Sequence, residues 1–285
     1  MSAQPAAALE VSPNRGGRNG ALLVSGVWLG LLVLAVVLVP WLWFIDDPYA
    51  LGGEANQGPS RSHWFGTDQL GRDMFARAIW GGRVSLSIAG VSVGIALVIG
   101  CLVGVVAGYF RGAIDTLVGS VIYITLALPA LMFALFIVTL LGQTFWNVTI
   151  AVTILAIPAI ARIARAQTLR FAAREFVTVS HMMGARWPRL LFREILPNVI
   201  PAMVSIGFLA VGLVIIAEGS LSFIGASVSA PNITWGSIMT AGKGRLEESP
   251  HISLITAGMM CATLLALNFI GDELLKRLDV REARI

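Results

Sequence analysis

Charged residues make up 13% of this sequence, and few of its side chains fall into a pattern that could carry out catalysis. Residues 90–94 read GVSVG and match the G-x-S-x-G pattern of serine hydrolases, but that nucleophile needs a sharp turn between a strand and a helix. Here the pattern lies inside a long apolar stretch, which indicates helix packing instead. His63, His181 and His251 are far apart in the sequence and are predicted to lie at surfaces, so a ligand cluster is not expected.

Motifs that bind metals or nucleotides are also missing from the sequence. It contains no HExxH, Cys-x-x-Cys or phosphate-binding loop, so neither a metal site nor an ATP site is expected on this chain. Cys101 and Cys261 lie inside apolar stretches and are predicted to be small packing residues. We therefore expect no cofactor to bind to this chain.

Glu218 is an acidic residue inside a stretch that is otherwise apolar. Because a carboxylate in hydrocarbon costs about 2.5 kcal/mol or more, its side chain should face protein or water. It could be a structural or gate residue near the outer end of a helix, or the proton site of an ion- or proton-coupled secondary transporter. The absence of an intramembrane Arg, Lys or His partner favours the structural role.

The composition excludes an ordinary soluble domain and predicts an all-α polytopic membrane protein. Hydrophobic residues make up 56% of the chain and charged residues 13%, and the mean hydropathy is +0.81. The net charge of +4 does not indicate a nucleic-acid partner, because the basic residues cluster beside apolar runs. Six transmembrane helices are predicted, with the fourth continuing past Arg162: residues 21–45, 84–110, 116–141, 147–161, 199–223 and 252–270.

The remaining segments form an arm, an outer segment and a tail around a core at residues 84–276. Residues 1–20 are predicted to be a disordered cytoplasmic arm, and residues 277–285 a cytoplasmic tail. A cleaved signal peptide is the alternative for residues 21–45, but this run far exceeds the usual 7–15 apolar residues. Residues 46–83 are predicted to lie outside, with a short helix around residues 74–79 on the membrane surface.

The basic residues predict the orientation of the chain. With a cytoplasmic N-terminus, 14 of the 20 Lys and Arg residues lie in cytoplasmic segments, which places both termini and the loop of residues 162–197 in the cytoplasm. From charge alone, this loop could be only a topology signal or a contact with anionic membrane lipid.

The pattern within the loop predicts two helices separated by a glycine turn. An apolar stripe recurs at three- and four-residue steps, and its helix is expected to end at Gly184. Pro188 is well placed to begin a second short helix, which should stop before Pro197. A rigid element docked by such a stripe is suited to transmitting motion. The stripe consists of Leu169, Ala172, Phe176, Val179 and Met183.

Small residues and prolines predict how the membrane helices pack and bend. Glycines at four-residue steps should form one packing face of the helix at residues 84–110, within the chain or against another subunit. Bends are expected at Pro129, Pro158 and Pro201. The glycines are Gly90, Gly94, Gly100, Gly104 and Gly108.

Four blocks of the sequence resemble one family of membrane proteins. Gly184, followed thirteen positions later by Pro197 in ILPN, resembles the EAA loop of ATP-binding-cassette (ABC) importer permeases, which rests in a cleft of the ATPase subunit. Three further blocks resemble the permeases of dipeptide, oligopeptide and nickel importers. They are HWFGTDQLGRD at residues 63–73, EGSLSFIG at 218–225 with NITWG at 232–236, and NFIGDELLKRLD at 268–279.

The resemblance implies a type I ABC importer fold in a prokaryotic inner membrane. It also implies a heterodimer with a homologous permease, two cytoplasmic ATPases that bind ATP and Mg, and an extracytoplasmic substrate-binding protein. The chain would form half of the pathway for peptides or a related solute such as nickel, without hydrolysing ATP itself. The coupling candidates are Arg174, Glu175, Thr178, Gly184, Ala185, Arg189, Leu196 and Pro197. The outer or gate candidates are Gly66, Asp68, Gly71, Arg72, Asp73 and Glu218.

One position departs from the family pattern. Where the family has Glu-Ala-Ala six residues before the glycine, this chain has Thr178, Val179 and Ser180. Glu175 lies nearly one turn earlier and cannot simply replace the missing acid. Coupling is therefore expected to rely on backbone and arginine contacts, or on an acidic contact supplied by the partner permease.

Overall fold

The computed structural model describes residues 15–43 and 45–282, and long helices make up most of these ranges. An isolated β-bridge joins Thr67 and Asp73, and the described residues contain no β-strand. The helices are α1 (Arg15–Leu38), α2 (Met74–Phe110), α3 (Gly112–Ala127), α4 (Ala130–Leu141), α5 (Phe145–Ala172), α6 (Glu175–Met182), α7 (Trp187–Arg189), α8 (Leu196–Phe223), α9 (Trp235–Gly242) and α10 (Pro250–Glu282).

Five helical segments of the described chain are long and apolar enough to cross a membrane. The bent pair of α3 and α4 gives up to six spans if it counts as one, which agrees with the predicted all-α polytopic fold. We call the end of the bundle where α2 and α5 begin the outer end, and the opposite end, which carries α6, the loop end. The five segments are Gly20–Trp41, Met74–Phe110, Phe145–Ala172, Trp187–Phe223 and Pro250–Arg277.

The predicted third span, residues 116–141, is wrong as a single helix. The chain bends by 88° between α3 and α4. Leu128, between them, has an extended backbone with ψ 138°, because the ring of Pro129 disfavours the helical conformation in the preceding residue. Pro129 then occupies the N-cap position of α4.

The predicted surface helix around residues 74–79 is also wrong, because these residues form the buried beginning of α2. Met74 and Ala78 are 1% and 0% exposed. The Asp73 carboxylate accepts a hydrogen bond of 2.8 Å from the Ala76 N–H and caps the helix. The indole of Trp235 donates to the Ala78 carbonyl at 2.8 Å, so this turn is held against protein.

The two ends of the chain differ from the predicted arm and tail where the structure describes them. Residues 15–20 are helical and begin α1, whereas the prediction placed them in a disordered arm. Residues 1–14 of that arm lie outside the described residues. At the other end, α10 continues to Glu282, so most of the predicted tail extends the last helix.

The axes of α2 and α5 approach closely because glycines remove side chains from their contact. A Cβ atom at Gly104 would lie 2.7 Å from the Ala164 Cβ and would also meet the Ala161 carbonyl. Gly100 and Gly108 have similarly short distances to the α5 backbone. Close backbone approach of this kind stabilises membrane helix pairs through van der Waals packing.

The predicted single glycine face is correct for these three residues and wrong for the other two. No atom lies within 4 Å of a Cβ position at Gly90 or Gly94. The step from Gly94 to Gly100 is six residues, which rotates about 240° around a helix and leaves the face. Ser92, between the outer glycines, is buried and donates to the Thr149 carbonyl at 3.1 Å, in agreement with a packing role.

We expect Gly104→Val to destabilise the chain by about 1–3 kcal/mol, because the added side chain overlaps α5. Gly94→Val is the matched control, since its Cβ position is open. Thermal unfolding of each full-length variant in detergent measures the difference. Equal unfolding midpoints for the two variants would contradict the α2–α5 contact.

Candidate functional site

Residues 169–183, which were predicted to form one continuous helix, are divided between the end of α5 and α6. Helix α5 ends at Ala172 and α6 begins at Glu175. Arg174 between them has an extended backbone, with φ −74° and ψ 148°, so the helical hydrogen bonding is interrupted. The chain can therefore change direction before α6.

Gly184 ends α6 as expected. Its φ is +85°, a conformation that glycine adopts without strain. Its N–H donates to the His181 carbonyl at 3.0 Å, and the Ala185 N–H donates to the Ser180 carbonyl at 3.1 Å. These two bonds form a Schellman motif, a common C-terminal cap.

The second helix of the loop does not stop before Pro197, and that prediction is wrong. Helix α7 has Pro188 in its first turn and continues as a π-helix, Leu190–Ile195, directly into α8. Pro197 has no N–H to donate to the preceding turn, and the wider π-helix lies immediately before it. The loop is thus joined to α8 without a break.

The apolar stripe of α6 faces away from the rest of the chain, whereas we expected it to dock the helix. Phe176, Val179 and Met183 are 44%, 52% and 82% exposed, and Met182 beside them is 81% exposed. Val177 is instead the buried residue, at 5%. An exposed apolar patch of this kind indicates a binding surface for another protein.

The structure places the predicted coupling residues on this loop and on the start of α8. Arg174 precedes α6, and Thr178 is exposed, with its hydroxyl donating to the Arg174 carbonyl at 3.4 Å. Leu196 is half-buried in the core behind α6. The remaining residues are exposed or half-buried: Glu175, Gly184, Ala185, Arg189 and Pro197.

An ion pair near the loop end was not predicted from the sequence. Arg165 of α5 donates to both carboxylate oxygens of Asp115 on α3, one of them at 2.8 Å. Two parallel bonds between a guanidinium and a carboxylate fix the direction of both side chains. The pair therefore ties α5, which leads into α6, to the neighbouring helix.

At the outer end, Asp68 is a buried acceptor for several donors. It accepts from the Leu70 N–H at 2.9 Å and from the Arg72 side chain at 2.7 Å, and Arg77 lies 3.5 Å away. Burial alone would raise the pKa of Asp68, but the hydrogen bonds from Arg72 and Leu70 bring this pKa below its ordinary value. The carboxylate is therefore held ionised as part of the fold.

The two predicted outer glycines permit tight turns in the same segment. Gly66 and Gly71 have φ of +77° and +75°. A side chain at Gly71 would overlap the Gly53 carbonyl, and the Gly53 N–H donates to the Gly71 carbonyl at 3.0 Å. Asp73 bonds His63 Nδ1 at 2.8 Å while capping α2. These candidates thus build an ordered outer segment.

Glu218 lies in a separate cluster, within the protein between α8, α2 and the segment before α9. It is 1% exposed and accepts from the Ser85 hydroxyl at 3.2 Å and the Ser227 hydroxyl at 2.7 Å. Ser85 also accepts from the Trp235 N–H at 3.1 Å. Within the described residues Glu218 forms no ion pair, and its contacts are those of a structural residue.

Asp68→Asn should destabilise the chain by about 2 kcal/mol at neutral pH, because it leaves Arg72 and Arg77 without their carboxylate. Because the pKa of Asp68 is lower in the folded state than in the unfolded state, its carboxylate contributes fully to stability above the unfolded-state pKa of about 3.9. This stabilisation is lost as the pH falls through the folded-state pKa. Unfolding of the detergent-solubilised variants between pH 7 and pH 3 measures the effect.

The control for Asp68→Asn is Glu248→Gln, which removes an exposed ion pair with Arg245. Exposed pairs contribute about 0–1 kcal/mol, so this variant should behave like the original chain. If the difference in unfolding free energy between Asp68→Asn and the original chain stayed constant down to pH 3, the ionised carboxylate would not be the cause of the destabilisation.

Glu218→Gln should retain most solute uptake, because the amide keeps an oxygen acceptor for one serine and can donate to the other. Glu218→Leu should reduce assembly, since each unsatisfied buried hydroxyl costs about 1–3 kcal/mol. Uptake by proteoliposomes containing the purified complex, with and without an uncoupler, measures both. Glu247→Leu, at an exposed position, is the control. Loss of uptake in a well-assembled Glu218→Gln variant would instead indicate a required ionised carboxylate.

This fold is that of a polytopic membrane protein whose loop end carries an exposed apolar surface. Residues 100–284 match the family described as the binding-protein-dependent transport system inner membrane component. The chain belongs to this family and is a permease subunit of an ABC importer in the inner membrane. Such an importer works with ATPases and a binding protein.

Relatives cover nearly the whole chain. A Brucella suis protein named as a peptide permease is 37% identical over 273 residues, covering 95% of this chain and 90% of that protein. The glutathione transport system permease of Pectobacterium atrosepticum is 32% identical, with 92% and 87% coverage. The dipeptide transport system permease of Alkalihalophilus pseudofirmus is 31% identical, with 92% and 86% coverage.

The fold also matches a solved transporter. A chain from inward-facing conformations of the MetNI methionine ABC transporter aligns with a TM-score of 0.62 at 18% identity, covering 72% of this chain and 97% of that one. This likeness supports the ABC importer fold. The comparisons give no support to the alternative of an ion- or proton-coupled secondary transporter.

Proposed function

We propose that this chain forms half of the translocation pathway of an ATP-driven peptide importer and couples to cytoplasmic ATPases through the loop of residues 162–197. The observation that carries the proposal is the exposed apolar face of α6 at the loop end. An exposed apolar face with basic residues on either side of it is typical of a protein docking surface. ATP and Mg would be bound by the partner ATPases.

The coupling surface is apolar and basic. Thr178 stands where the family pattern has an acid, and basic residues precede and follow α6 in the chain: Arg174, Arg186 and Arg189. One carboxylate, Glu175, begins α6. We expect the ATPase cleft to receive the apolar side chains and to offer acceptors to the arginines, so that coupling does not depend on an acid at position 178.

Force applied to α6 can reach two membrane helices. Val177 packs in one core cluster with Leu190 and Leu191 of the π-helix, which continues into α8. On the other side, the Asp115–Arg165 pair ties the end of α5 to α3. Movement of a docked ATPase would therefore tilt α5 and α8 together, as alternating access requires.

The remaining partners follow from the exposed surfaces and from the relatives. Helices α3 and α4 expose large apolar side chains such as Leu117, Ile124, Met132 and Leu140, which supports pairing with a homologous permease. The ordered outer segment would meet the substrate-binding protein. The charge bias of the sequence supports cytoplasmic termini, and the names of the relatives support a peptide or related solute.

Met182→Asp should prevent productive docking of the ATPases, because it places a charge in the centre of the apolar face. We expect binding-protein-stimulated ATP hydrolysis by the reconstituted complex to fall at least about tenfold, equivalent to about 1.4 kcal/mol or more. Membrane insertion should remain normal, since the side chain is 81% exposed in the isolated chain.

Gly184→Pro tests the same coupling by geometry, because proline fixes φ near −65° where this residue has +85°. Leu246→Asp, an exposed apolar position at the outer end, is the control and should still copurify with the ATPases. Normal stimulated hydrolysis in both loop variants would contradict the proposed coupling site.

A further inference from the structure

A cavity of about 900 Å³ at the outer end is not used by the coupling mechanism. It lies between the end of α1, the following outer segment, the first turns of α2, the start of α5 and the segment before α9. Residues that matter for its chemistry are Asp46, Asp47, Trp80, Arg83 and Ser87. Its volume is in the range of cavities that hold small ligands.

The cavity lies at the boundary between hydrocarbon and water. Arg83 is the last charged residue before residues 84–110, which contain none, and Asp46 is the first after the uncharged residues 21–45. Both line the same cavity. Trp41, at the end of the first span, is 73% exposed beside it, as is common for tryptophan at membrane interfaces.

The charged side chains that line this cavity do not form ion pairs with one another in the described part of the chain. The Arg83 guanidinium carbon lies 5.6 Å from the centroid of the Trp80 ring. In the described part of the chain, neither Arg83 nor Asp46 forms an ion pair. The Trp80 indole nitrogen is buried without an acceptor among these residues. A cation and carboxylates thus face one cavity without satisfying each other.

Below Arg83, the same face of α2 is open and largely apolar. Ser87, Gly90, Gly94 and Val98 follow Arg83 at spacings that keep them within about 60° of it around the helix. Nothing lies within 4 Å of a Cβ position at either glycine, and Val98 is 62% exposed. This open face can accept an acyl chain but offers a peptide few hydrogen-bonding groups.

We propose that this cavity binds the headgroup of an aminophospholipid, phosphatidylethanolamine. Arg83 would hold the phosphate, for which a planar guanidinium is well suited. Asp46 and Asp47 would receive the ammonium group, and an acyl chain would lie along the open face of α2 past Gly90 and Gly94. A zwitterionic lipid satisfies both signs of charge at the correct depth in the membrane.

The test uses the purified importer complex with the full-length chain. After equilibration with equal amounts of dioleoyl phosphatidylethanolamine, phosphatidylglycerol and phosphatidylcholine in detergent, native mass spectrometry counts the lipids that are retained. We expect phosphatidylethanolamine to be preferred. Arg83→Gln should reduce retention of phosphatidylethanolamine and phosphatidylglycerol at least about tenfold, whereas Arg83→Lys should retain part of it.

The double variant Asp46→Asn with Asp47→Asn should distinguish recognition of the ammonium group from recognition of the phosphate. It should lose the preference for phosphatidylethanolamine over phosphatidylglycerol while still binding lipid through Arg83. Arg61→Gln, an exposed outer arginine away from the cavity, is the control. Undiminished lipid retention in Arg83→Gln, or displacement of the lipid by added dialanine, would overturn the proposal, and displacement would assign the cavity to a solute.

Discussion

The close contact between α2 and α5 is the interaction on which the other parts of the structure depend. Membrane helices are not driven together by the hydrophobic effect, so shape and hydrogen bonding must hold them. Gly104 allows the two backbones to meet. Helix α5 leads into the loop of residues 162–197, while α2 carries Ser85, whose hydroxyl joins Glu218 of α8 and the Trp235 backbone. Both ends of the bundle are thus positioned from one helix pair.

The sequence predicted the fold class because hydropathy reports directly on membrane burial. It could not predict that residues 116–141 bend sharply, since proline is compatible with either a kinked or a broken span. It also placed the start of α2 at the membrane surface, because the apolar Met74 and Phe75 lie between the charged residues Asp73 and Arg77. Met74 is buried against Ile233, Ile238 and Ile252, which are far away in the sequence and therefore invisible to a local pattern.

For the loop of residues 162–197, features that depend on neighbouring residues were predicted correctly, whereas features that depend on tertiary contacts were not. A glycine cap depends on backbone conformation near one residue, so Gly184 was predictable. The direction of the apolar stripe depends on what covers it, and Phe176 and Met183 are exposed here although their spacing is typical of a buried face. The Asp115–Arg165 pair joins residues 50 positions apart, and no periodicity connects them.

The loop end packs against the membrane helices on one side and is exposed on the other. Trp187 of α7 packs against Phe110, the last residue of α2, with ring centroids 5.4 Å apart, while Val177 holds α6 against the π-helix. Helix α7 and the π-helix run into α8 without a break, and the turn at Gly184 that separates them from α6 is spanned by the packing of Val177. On the α5 side the extended residue Arg174 permits a change of angle. Under the proposed coupling, a displacement of α6 would therefore pass to α8 through the packing of Val177, and to α5 through the junction at Arg174.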